Sequence, residues 1–105
     1  MATYVMLTRL SHQALQSPRT VETLSHQIME RIRSSCPEVR WISSYVVLGP
    51  TDYLDIFVAP DNAVATKVAT IIRTFGHATT EIWPATEWDQ YVDLVRDLPP
   101  VISSG

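Results

Sequence analysis

Apolar and polar positions along this chain follow two periods. Residues 3–9, TYVMLTR, alternate and are rich in β-formers, which predicts an opening strand. From residue 18 the period changes. Val21, Leu24, Ile28 and Ile32 recur at helical spacing over 18–35, behind Ser17 as N-cap and Pro18 at the first helical position. Cys36-Pro37 stops that helix. Residues 39–48, VRWISSYVVL, and 53–58, YLDIFV, read as two strands joined by the turn Gly49-Pro50-Thr51-Asp52, a hairpin. Asp61 is placed to cap a second helix, 62–75, with Val64, Val68, Ile71, Ile72 and Phe75 as its apolar stripe and Gly76 as its stop. Residues 77–83, HATTEIW, form a fourth strand. Thr86 then opens a short helix on which Trp88, Tyr91, Val92, Val95 and Leu98 share a face, and Pro99-Pro100 ends it.

The order β-α-β-β-α-β predicts a ferredoxin-like α+β fold, two helices over one face of a four-stranded antiparallel sheet, followed by an extra helix. The expected organisation is one domain over 1–98 with a flexible tail at 99–105. Alternation then sorts side chains between faces. In the third strand Leu54, Ile56 and Val58 are uniformly aliphatic and are expected under the helices. Val5 and Leu7 of the first strand join them, as do Ala78, Thr80 and Ile82 of the fourth. The other face would then hold Tyr4, Met6, Thr8, Tyr53, Asp55, Phe57, Glu81 and Trp83. Trp41, Ser43, Tyr45 and Val47 would join them unless a bulge shifts the register. A face so apolar and aromatic is expected to meet a second copy of the chain or a ligand.

Composition narrows the partners. A chain of 105 residues, 46% apolar and 18% charged, suits a globular domain rather than a disordered one. The net charge is −3 with no basic cluster, which argues against nucleic acid. No stretch approaches the roughly 20 apolar residues of a membrane helix, and MATYVMLTRL lacks the basic start and cleavage site of a leader. The single cysteine, Cys36, cannot form an internal disulfide, and a cytoplasmic setting is expected.

Few side chains announce chemistry. Asp55 and Glu81, on one face, would be candidate acid or base groups, or a hydrogen-bonded pair that sets the register of a dimer. Asp52 would touch a ligand at the pocket mouth or bond its own turn, and turn geometry alone accounts for it. His26 and Glu30 are four apart on a helix but off its apolar stripe, so an exposed pair is expected, not a metal site. His12 lies in a loop, and His77 is the least unsuitable haem ligand. No HExxH, CxxC, GxSxG or phosphate-cradling glycine loop is present. No cofactor or metal is expected. Cys36, between Arg33 and Arg40 in sequence, reads as a structural thiol.

These residues resemble a known family. LGPTDYLDIFVAPDNAVATKV, residues 48–68, is similar to the hairpin of the GYD-domain proteins, which typically reads G-P-Y-D, then an apolar strand, then A-P-D at a helix start. Ser17-Pro18-Arg19 and the opening TYVMLT resemble that family too. Thr51 stands where the family usually has tyrosine, so a ligand contact by that tyrosine would need replacing, with Tyr53 as the nearest substitute. The resemblance implies a dimeric α/β barrel. That superfamily includes cofactor-independent monooxygenases, haem enzymes and small-molecule sensors.

Three functions stay open at this point. One is binding of a small, partly apolar molecule in a dimer, by Tyr4, Tyr45, Asp52, Asp55, Phe57, Glu81 and Trp83. Another is a cofactor-independent, monooxygenase- or isomerase-like enzyme using Asp55 or Glu81. The third is a structural or accessory oligomer, dimeric or larger, with no pocket.

Overall fold

The computed structural model describes residues 1–11, 18–75 and 78–100, the side chains of 18–20 excepted. His12, Ser17, Gly76, His77 and the tail from 101 lie outside the described residues, so the cap, helix stop, haem ligand and frayed end read there are not described. The elements are β1 (Ala2–Leu10), α1 (Pro18–Ser35), β2 (Arg40–Val46), β3 (Tyr53–Ala59), α2 (Asn62–Thr74), β4 (Ala78–Ala85) and α3 (Trp88–Val95). They form one antiparallel sheet in the order β2-β3-β1-β4. This is the ferredoxin-like α+β arrangement.

Local chemistry explains most boundaries. Asp61 is extended and its carboxylate accepts the Val64 N–H at 3.0 Å, so α2 starts as the sequence predicts. Pro84 is tolerated inside β4 because β4 is an edge strand. Helix α3 departs from expectation. It begins after Glu87, which gives no side-chain cap bond, and ends at Val95, before Leu98.

The faces of β1 and β3 are the reverse of the sequence expectation. Tyr4, Met6, Thr8, Phe57 and Ala59 are buried under the helices with Leu24, Ile32, Val68 and Ile72. Val5, Leu7, Leu54, Ile56 and Val58 are half-exposed on the open face. Both alternating sets are apolar, so hydrophobicity could not rank them. Ring stacking marks the buried set. Trp41, Phe57 and Tyr4 form a row across β2, β3 and β1, with centroids 5.1 and 5.4 Å apart. The Tyr4 hydroxyl ends the row by donating to Asn62 Oδ1 at 2.7 Å.

The register shift between Trp41 and Ser43 puts Trp41 on the helix side and Ser43 and Tyr45 on the open side. In β4 the expectation holds: Thr80 is buried and Ile82 packs on the core, while Glu81 and Trp83 face outward. Thr80 also accounts for its burial in polar terms. Its hydroxyl pairs with that of Thr8 at 3.1 Å, and the Arg73 guanidinium donates to its carbonyl at 2.7 Å.

Candidate functional site

Helix α2 lies close against β4, whereas α1 stands farther from the sheet. The gap beneath α1 is a cavity of about 330 Å³. Its roof is Val21, Leu24, Ser25, Ile28, Met29 and Ile32 of α1, and its floor comes from Met6, Thr8, Trp41, Ser44, Tyr53 and Asp55 of the sheet. Tyr45 and Val46 stand at an exposed rim on the edge strand β2. Asp55 is the only charged group among the described lining residues.

The register places Asp55 opposite Met6, on the helix side. The Trp41 indole N–H reaches both Asp55 Oδ1, at 3.2 Å, and Ser44 Oγ, at 2.9 Å, and Ser44 also hydrogen-bonds the carboxylate. Burial pushes the Asp55 carboxyl above the ordinary aspartate range, and the bonds from Ser44 and Trp41 only partly oppose this. Tyr53 is also raised, first by burial and then by the neighbouring charge of Asp52. The cavity therefore joins a broad apolar surface to one polar corner made by Asp55, Ser44, Thr8 and Tyr53.

The other expected site residues do not share this space. Asp55 lines the cavity and Tyr45, on the open side of the edge strand, meets it only at the rim, whereas Tyr4 and Phe57 lie within the core. Glu81 and Trp83 are on the opposite face of the sheet, so the expected Asp55–Glu81 pairing on one face does not exist. Asp52 bonds the end of β1 rather than its own turn, the partner the sequence suggested. Its carboxylate accepts the Leu10 N–H at 2.8 Å, its own N–H donates to the Thr8 carbonyl at 2.9 Å, and Arg9 donates to the Pro50 carbonyl. The turn is thus clamped on the end of β1, and Tyr53 beside it is delivered to the cavity. His26 and Glu30 form an exposed pair at 3.3 Å. Among the described residues no group of three His, Cys, Asp or Glu side chains could hold a metal. Cys36 is buried, and burial, then Glu38, pushes its thiol up, which suits an inert side chain.

Sequence reasoning missed Ser25, Ser44, Met29 and the role of Trp41. The α1 stripe was legible, but a periodic stripe does not reveal how far its helix stands from the sheet.

The fold and the clamped hairpin define the class: a ferredoxin-like α+β chain with a cavity under its first helix. The family model of the GYD domain matches residues 4–95, and the chain belongs to that family. No curated protein matches it. A solved structure titled "crystal structure of FFRP-DM1" is similar in fold, with 20% identity and a TM-score of 0.54, covering 82% of this chain and 100% of that one. Among the described residues no helix is long and apolar enough to cross a membrane.

Proposed function

We propose that this protein binds a small, largely apolar molecule beneath α1, with the polar end of the ligand donating hydrogen bonds to Asp55. The observation that carries this reading is the lone carboxyl in a largely apolar 330 Å³ cavity whose described lining contains no cation. Apolar walls supply affinity and few polar groups supply orientation. A ligand carboxylate or phosphate would meet Asp55 with nothing to neutralise it.

The test uses two dyes with one aromatic framework. N-phenyl-1-naphthylamine is neutral and carries an N–H donor, and its 8-sulfonate analogue is anionic. The neutral dye should bind one site per chain with enhanced emission, and the sulfonate at least tenfold more weakly. Ile28→Trp, which fills the cavity, should remove that site. Equal binding of both dyes, or binding insensitive to Ile28→Trp, would reject the reading.

A second reading is favoured by the raised Asp55 carboxyl. As carboxylate it would take a proton from an activated carbon acid, and as the acid return it elsewhere on the same substrate, an isomerisation that needs no cofactor. We also propose that the chain is a homodimer joined through its open sheet face, where Val5, Leu7, Leu54, Ile56 and Val58 form an aliphatic centre bordered by Trp83 and Glu81. The reading of an oligomer with no pocket has less support, because the cavity lies on the other face. A cytoplasmic location accords with the unpaired Cys36.

A further inference from the structure

Helix α3 is amphipathic but buries none of its residues and touches the rest of the described chain only marginally. Trp88 is 73% exposed, and Tyr91, Leu94 and Leu98 are also exposed. The rings of Trp88 and Tyr91 lie 5.4 Å apart, and Val92 and Val95 continue their face at helical spacing. Eight residues of helix are not stable alone in water. Such a segment needs a surface.

We propose that α3 is an arm that docks on a second copy of the chain, its Trp88–Tyr91–Val95 stripe extending the cover over the partner's open sheet face. This rests on the dimer reading above and deepens it. Three observations favour a second copy as the occupant. The first is continuity: β4 carries Trp83 and Ala85 of the open face straight into α3. The second is charge. Glu87, Asp89, Asp93 and Asp97 against Arg96 account for the whole net charge of −3 and leave the rest of the chain neutral. Arg40, level with Val58, and Arg9, level with Thr79 and donating to the Pro50 carbonyl, stand at the two ends of the open face and outnumber its one strand carboxylate, Glu81. An acidic arm fits a face with arginines at its ends. The third is area. A sheet four strands wide and about seven residues long offers roughly 450 Å² of flat face, against about 800 Å² per partner in a stable association. The arm adds surface that the sheet alone lacks.

The test is a photo-crosslinker placed at position 88, in dimers mixed from ¹⁴N- and ¹⁵N-labelled chains, with sedimentation equilibrium of the unlabelled Trp88→Ser and Tyr91→Ser variants. Mixed-isotope crosslinks from the arm to the partner's open face are expected. Each variant should weaken the dimer roughly thirtyfold, as for an aromatic anchor, and higher salt should weaken the wild type. Because α3 stands outside the core, melting of the variants should match wild type at concentrations where both are monomeric. A dimer with only same-isotope crosslinks, or with an unchanged dissociation constant in both variants, would overturn the arm and leave the face-to-face dimer standing. A monomer at every concentration would overturn both.

Discussion

Asp55 and Glu81 are carboxylates of one sheet that point to opposite faces: Asp55 is level with Met6 under the helices, and Glu81 is level with Leu7 on the open side. Their separation assigns them different environments. Glu81 is exposed, whereas Asp55 sits in a desolvated corner with two donors. Asp55 is thus the only carboxyl among the described residues that line the cavity.

That position has a stability consequence. The folded chain holds the Asp55 proton to a higher pH than the unfolded chain does. Folding therefore gains from protonated Asp55 below the ordinary aspartate range and loses that gain as pH rises through the raised value. Asp55→Asn keeps an acceptor for Trp41 and Ser44 without the charge. Its melting temperature should exceed wild type at neutral pH, with the gap closing in acid. Melting curves from pH 3 to 8 check this, and neutral-dye affinity should fall in the same variant.

Asp52 should behave as a structural residue. Asp52→Ala leaves the Leu10 N–H without its acceptor and should cost about 1–2 kcal/mol, while Asp52→Asn should cost less. Hydrogen exchange at Leu10 should accelerate in the alanine variant. Dye binding at saturating folded protein should change little, since the carboxylate does not line the cavity.

The aromatic row should be the most sensitive part of the core. Phe57 is fully buried between Tyr4 and Trp41, so Phe57→Ala should cost about 3–5 kcal/mol. Tyr4→Phe removes only the bond to Asn62 and should cost about 1 kcal/mol. Denaturant unfolding at constant pH measures both.

The open face should govern assembly rather than folding. Ile56→Glu places a charge within the aliphatic patch, and Leu7→Glu sets a second carboxylate beside Glu81. Both should give folded monomers by sedimentation, with near wild-type far-UV circular dichroism. Met6→Glu should instead prevent folding, because Met6 lies in the core.

Cys36 should resist thiol reagents in the folded state and react fully in denaturant. Burial limits access and disfavours the thiolate. Ellman's reagent with and without guanidinium reads the difference.

The sequence by itself determined the elements, their order and the family. Helical and alternating periods, Asp61 as a cap and the Gly49–Asp52 turn act over a few residues, so they are visible without the fold. Even the strand order follows from the βαββαβ pattern. The site was only partly legible. Asp55 stood out because a carboxylate in an apolar strand must find partners, and it found Trp41 and Ser44. Tertiary structure alone decided which way Asp55 points. A period of two separates Tyr53, Asp55 and Phe57 from Leu54, Ile56 and Val58, but it does not say which set lies under the helices when both are apolar. That choice depends on packing between distant segments: the stacking of Tyr4, Phe57 and Trp41, the fit of α2 on β4 and the distance of α1 from the sheet. The cavity is a product of that last distance, and no local pattern encodes it.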